Sequence, residues 1–172
     1  MPLTLTKETG AGLTDANAYA DVADGDAYHE GHLYAAAWTA ATADNKAIAL
    51  VMATRLLDAE YQFAGGRANT GQALQWPRQD CPDPDGEEPL ADDVLPKAVV
   101  AATCELAREL LIVDRTASPA GEGSKYYNNG SVQTGYDKTD TRPIIPAVVQ
   151  ALLAKYGALI KAKSGAVKLV RV

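Results

Sequence analysis

The stretch Ala43–Tyr61, ADNKAIALVMATRLLDAEY, carries two apolar stripes at helical spacing. Ile48, Val51, Met52, Leu56 and Ala59 form one; Leu50, Ala53, Leu57 and Tyr61 form the other. Residues three and four apart share one face of a helix, so two stripes predict a central helix buried on more than one side. Working outward, LPKAVVAATCELARELLIVD (Leu95–Asp114) repeats the pattern through Leu95, Val99, Ala102, Leu106, Leu110 and Val113, widened by Val100 and Leu111. Pro96 suits the first helical position there, because its missing N–H would be unpaired anyway. PAVVQALLAKYG (Pro146–Gly157) predicts a third helix with Gly157 as its stop. A weaker helix is expected from the cap Asp21 through His32, with Val22, Tyr28 and Leu33 on its apolar side and Gly25 and Gly31 against it. Leu3 and Leu5 alternate as an edge strand would. The expected class is mainly α: a small helical bundle with a β-hairpin arm and an extended C-terminal tail.

The chain has 172 residues, 47% hydrophobic and 22% charged, which fits one domain with a single sizeable core. No apolar run approaches the roughly 18 residues of a membrane span. Met1–Gly12, MPLTLTKETGAG, has neither a basic start nor an apolar stretch, so no secretory signal is expected and the chain should stay in a cytoplasm. Cys81 and Cys104 lack CxxC partners and are expected as reduced thiols. The net charge of −6 is uneven. Residues 1–60 hold three basic and nine acidic side chains, residues 61–120 five and ten, and residues 121–172 eight and three. Lys155, Lys161, Lys163, Lys168 and Arg171 follow the last acidic residue, Asp140. An acidic body with a basic tail suggests head-to-tail contacts or an acidic partner; a merely solvated terminus is the alternative.

A loop rich in Gly, Pro and Asp runs from about Ala64 to Asp93 and contains GQALQWPRQD, Gly71–Asp80. Trp76 beside Arg78, with Arg67 upstream and tyrosines near Lys125, could form a cationic stacking platform for single-stranded nucleic acid. Such binders usually carry a basic groove, and most of this chain is acidic. The structural alternative is a plug: Leu74 and Trp76 alternate and can both point inward, while Pro77 fixes the exit of the chain. A buried tryptophan removes roughly 150–250 Å² from water, enough to hold a long loop on the helices. The plug, Leu74, Trp76 and Pro77, is the reading adopted.

GSKYYNNGSVQTGYD, Gly123–Asp137, contains Asn129-Gly130, a strong type I′ hairpin signal. Tyr126, Tyr127, Val132 and Tyr136 supply strand formers around it, in an arm that pairs with another surface or simply stands on this one. Catalytic chemistry finds no good candidate. His29-Glu30-Gly31-His32 lacks the HExxH spacing of zinc proteases. CPDPDGEEPLAD, Cys81–Asp92, resembles a calcium loop but begins with a thiol and is stiffened by three prolines. No triad and no phosphate loop can be assembled, and no cofactor is expected.

ANAYADVADGDAY (Ala16–Tyr28), Trp38, KAIALVMATRLLD (Lys46–Asp58), ALQWPR (Ala73–Arg78), DPDG (Asp83–Gly86) and LPKAVVAATCELA (Leu95–Ala107) occur in this order. Together they resemble a bacteriophage family of head–tail connector or adaptor proteins, some of whose members carry the label DnaT-like single-stranded-DNA-binding protein. The resemblance covers Leu3–Ala107 and rests beyond Arg115 on the order of arm, last helix and tail. It implies a structural virion protein at the head–tail junction, made in the bacterial host cytoplasm. Such subunits form a ring, commonly dodecameric, under the portal protein. DNA passes through the ring with transient non-specific contact, and a tail-side neck or tail-completion protein docks on it. Membrane contact is not expected. On this reading residues 1–157 are a helical adaptor domain with its arm at about 124–137, and residues 158–172 a basic docking tail. Lys161, Lys163, Val167, Lys168, Leu169, Val170, Arg171 and Val172 would dock on the portal or a neighbour by strand addition. Tyr126, Tyr127, Asn129, Gly130 and Val132 would reach the adjacent subunit or the tail-side protein. Single-stranded-DNA binding is the alternative function.

Overall fold

The computed structural model describes residues 3–117, 126–129, 132–135 and 142–160, with only the backbone pairing given for the two middle segments. Helix α1 spans Val22–Glu30, α2 Ala36–Thr39, α3 Ala43–Glu60, α4 Lys97–Ile112 and α5 Ala147–Leu153. Between them run six short strands: β1 Tyr61–Phe63, β2 Gly66–Arg67, β3 Arg78–Gln79, β4 Tyr126–Asn129, β5 Val132–Gly135 and β6 Gly157–Leu159. They form three two-stranded antiparallel sheets, β1–β6, β2–β3 and β4–β5. The fold is therefore mixed α/β, which corrects the expected, mainly α bundle. The expectation failed because the pairings that tie the loops are made of strands two to four residues long. Strands that short show no alternation to read.

Local chemistry sets the helix starts. Asp21 caps α1 by accepting from the Asp24 N–H while the Asp24 carboxylate accepts from the Asp21 N–H, a reciprocal capping box. Thr42 Oγ1 accepts from the Asn45 N–H at the start of α3. Pro96 and Pro146 are the cap residues of α4 and α5, in extended geometry, so each helix begins one residue later than the sequence predicted. Helix α5 ends at Leu153, and Gly157 opens β6 instead of stopping the helix. An added Cβ at Gly157 would lie 2.6 Å from the Gln62 carbonyl, so the close approach of β1 explains the glycine. The N-terminal segment contributes one isolated parallel bridge, Lys7 with Ala18, in place of an edge strand at Leu3 and Leu5.

Helix α3 packs on α4, and α4 on α5. Of the two predicted stripes on α3, the one through Leu50, Ala53 and Leu57 is buried; in the other Val51 is buried and Leu56 packs on the core, while Ile48 is 52% exposed. The core joins these residues to Val99, Ala102, Leu106, Val149 and Leu153, with Trp38 and Trp76 at opposite flanks of sequence order. Gly25 in α1 is buried, and a Cβ there would meet Trp38 Cζ2 at 2.3 Å. The glycine that weakens α1 as a helix is what lets the Trp38 ring lie against it. After α4, Arg115 donates to the carbonyls of Pro143 and Ile144 and to Glu109, fastening the return of the chain toward α5.

Candidate functional site

The Trp-Pro-Arg segment lies at the junction of β3 with the loop before it. Leu74, Trp76, Pro77 and Arg78 are all buried, and Trp76 is fully so. The indole sits edge-on to Phe63 (5.7 Å) and Tyr156 (6.0 Å), which places it between β1 and the turn leading into β6. The Trp76–Pro77 peptide is cis. Arg78 turns inward too. Its Nε donates to the Ala64 carbonyl at 2.6 Å, and Nη1 donates to the backbone and side-chain oxygens of Gln75. Its Nη2 donates to the carbonyls of Phe63 and Gly65. Burial lowers its pKa from the usual guanidinium value. All three nitrogens are committed to the fold, so no fork remains for a phosphate.

One carboxylate ties this region to α3, and a second orders the N-terminal segment. Tyr19 donates its hydroxyl to Asp58 and accepts from the N–H groups of Gln75 and Trp76. Asp58 also accepts from the Gln75 N–H at 3.1 Å. Burial pushes the Asp58 carboxyl up to about 6, against the opposing pull of these hydrogen bonds. Glu8, fully buried, accepts from the N–H groups of Thr9, Gly10, Gly12 and Leu13 at 2.9–3.0 Å. Gly10 has φ +102, and a Cβ there would collide with the Asp93 carbonyl at 1.9 Å. This anion nest is filled by the chain's own carboxylate. Sequence reasoning passed over it, although Glu-Thr-Gly-Ala-Gly offered the signal.

A groove of about 470 Å³ opens beside α1 and α2, lined by Asp26, Ala27, His29, Glu30, Trp38 and Thr39. Asp26 Oδ1 accepts from Trp38 Nε1 (2.8 Å) and Lys46 Nζ (2.7 Å), and the Lys46 contact keeps its carboxyl below the usual range. His29 is 3% exposed, lies 4.9 Å from Trp38 with the rings tilted by 37°, and bonds the Cys104 carbonyl through Nε2 at 3.1 Å. Its Nδ1 has no partner among the described residues. His32, the other histidine, meets Glu105 at 3.5 Å. Among the described residues no group of three or more His, Cys, Asp or Glu side chains could hold a metal ion. Cys81 and Cys104 are buried free thiols, and burial pushes Cys104 up to about 12.

A family model described as "Putative DnaT-like ssDNA binding protein" matches residues 3–172. The chain belongs to this family. No curated protein and no solved structure matches it. The match bears on the DnaT-like label within the resemblance and does not show the phage connector family.

Set against the family's description, the described surface is electrostatically unfavourable for DNA. The described residues carry ten Lys and Arg against nineteen Asp and Glu, a net of −9. The Trp76–Arg78 pair cannot serve as a stacking platform, because both side chains are interior. The hairpin is present as backbone, with Asn129 opposite Val132 and Tyr126 opposite Gly135. Gly130 and all the tail residues from Lys161 to Val172 lie outside the described residues, as do the side chains of Tyr126, Tyr127, Asn129 and Val132. Strand β6 runs through residue 157, the expected boundary between body and tail. No helix among the described residues is long and apolar enough to cross a membrane.

Proposed function

We propose that this chain is a non-catalytic assembly subunit that works through protein–protein contacts, as a bacteriophage head–tail connector. It would form a ring under the portal, pass DNA through its lumen, and offer a face to the tail-side protein. The observation that carries this reading is the combination of an acidic body with a fully internal Trp-Pro-Arg segment. A wall of like charge leaves a passing strand mobile, whereas a binder needs cations on its phosphates. The portal, the tail-side protein and the ring itself come from the sequence resemblance.

The family description favours a second reading, single-stranded-DNA binding, and of the two readings the comparison backs this one. Its contact surface would then lie away from Trp76 and Arg78, with the exposed Arg55, Arg67 and Lys97 and the basic residues from Lys161 to Arg171 among the cations that could make it. Native mass spectrometry of the purified chain, alone and with the portal protein encoded beside it, separates the two. Capture by the portal in a fixed multiple supports the connector. A chain that ignores the portal but binds a labelled oligonucleotide with salt-dependent affinity replaces it with the second reading.

A further inference from the structure

The turn between α1 and α2 presents two large apolar side chains to solvent. Leu33 is 87% exposed and Tyr34 74%, the highest values for large hydrophobic residues among the described residues. Single exposed apolar residues are ordinary on a protein surface; an adjacent pair held in one fixed turn is a candidate anchor. Hydrogen bonds fix this turn. The His32 N–H donates to the His29 carbonyl at 3.1 Å, and the Tyr34 N–H donates to His32 Nδ1 at 3.1 Å. Since Nδ1 accepts, the ring proton sits on Nε2, which faces Glu105 Oε2 at 3.5 Å. Glu105 is buried and pairs in turn with Arg108 at 2.6 Å. A buried ion pair on α4 thus orients the histidine that holds the Tyr34 backbone. The two exposed side chains project from a preorganised turn, which has little backbone freedom left to lose on binding.

We infer that Leu33 and Tyr34 anchor a partner protein, seating in an apolar socket with a rim of Lys and Arg. The charge around the turn selects that rim. From Glu8 to Asn45 the sequence holds seven acidic residues and no Lys or Arg. The flanking cations are already engaged: Lys7 pairs with Asp21 and Asp24, and Lys46 with Asp26. Exposed Glu30, at the end of α1, has no ion pair among the described residues. An acidic flank beside an apolar anchor attracts a basic surface and repels an acidic one. Nucleic acid is repelled by the same charge. A second copy is a poor occupant, because the described residues net −9 and two such turns face to face would bring acidic flanks together. This inference rests on the assembly reading and names a surface through which the subunit makes its contacts.

The test measures binding of the full chain to the portal protein and, separately, to the tail-side protein, by biolayer interferometry at low and physiological salt. Sedimentation equilibrium of the chain alone accompanies it. Variants are Leu33→Ser with Tyr34→Ser in one chain, Tyr34→Ala alone, and Glu30→Lys. All three change exposed side chains, so each should melt like the wild type. The double variant should lose at least about tenfold in affinity for the partner, with Tyr34→Ala in between. Glu30→Lys should lose about three- to tenfold and flatten the salt dependence. A folded double variant that binds within about twofold of wild type overturns the anchor and leaves the assembly reading standing. A Glu30→Lys variant that binds as tightly as wild type, or more so, overturns the basic rim. Self-association of the chain alone that the double variant abolishes makes a second copy the occupant and overturns the basic partner. A wild type that binds neither protein overturns the inference, and if it also stays monomeric the assembly reading falls with it.

Discussion

Replacing Trp76 separates a structural plug from a ligand platform. The ring is wholly buried, and a tryptophan removes roughly 150–250 Å² from water, about 4–6 kcal/mol as an upper bound at ~25 cal/mol per Å². Two edge-on aromatic neighbours, Phe63 and Tyr156, add about 0.5–1.5 kcal/mol each. Against this, the indole N–H has no partner among the described residues, and an unsatisfied buried donor costs about 1–3 kcal/mol. Trp76→Ala removes the packing and the orphaned donor together, so the expected loss is about 3 kcal/mol, at the lower end of large aromatic truncations. Trp76→Phe gives up about 1–2 kcal/mol of buried area while removing the same orphan, and should fall within about 1 kcal/mol of wild type. Urea unfolding followed by far-ultraviolet circular dichroism measures both. An alanine variant within about 0.5 kcal/mol of wild type would refute the plug, since surface substitutions behave that way. A folded Trp76→Phe variant that loses affinity for an oligonucleotide would return the ring to the surface.

Arg78→Met should destabilise the fold by about 3 kcal/mol or more, because it strips the carbonyls of Phe63, Ala64, Gly65 and Gln75 of a charged donor; urea unfolding reads the loss. Asp58 should titrate in the carboxyl carbon spectrum with a midpoint near 6, and a midpoint below 4 would remove its burial as the cause. Because the folded pKa lies above the unfolded 3.8, the native state binds the proton more tightly. The Asp58 contribution is thus fully present below about pH 4 and is lost as pH rises through about 6, by up to about 3 kcal/mol. Gly25→Ala should lower the melting temperature despite alanine's better helix propensity. The new Cβ meets Trp38 at 2.3 Å, and overpacking costs about 1–3 kcal/mol against about 1 gained.

The sequence by itself determined helices α3, α4 and α5. Their signal is local: apolar residues three and four apart on α3, α4 and α5, with Asp21 marking the start of α1. The pairing of β4 with β5 was legible from the Asn129-Gly130 stretch, although Asn129, expected in the turn, pairs with Val132 in the ladder. The tertiary structure alone decided the rest. Tyr61 pairs with Leu159 across almost a hundred residues, through strands too short to show alternation. Arg78 bonds mainly backbone carbonyls, which every residue owns, so no pattern of side chains could announce its partners. Periodicity likewise put Ile48 and Val51 on one stripe of α3, yet Val51 is buried and Ile48 exposed, because periodicity marks a face without saying what covers it. The α1–α2 groove is a juxtaposition of Asp26, His29 and Trp38 set by the packing of two helices. His29 is held there by Cys104, seventy-five residues away, whose carbonyl lies against Nε2.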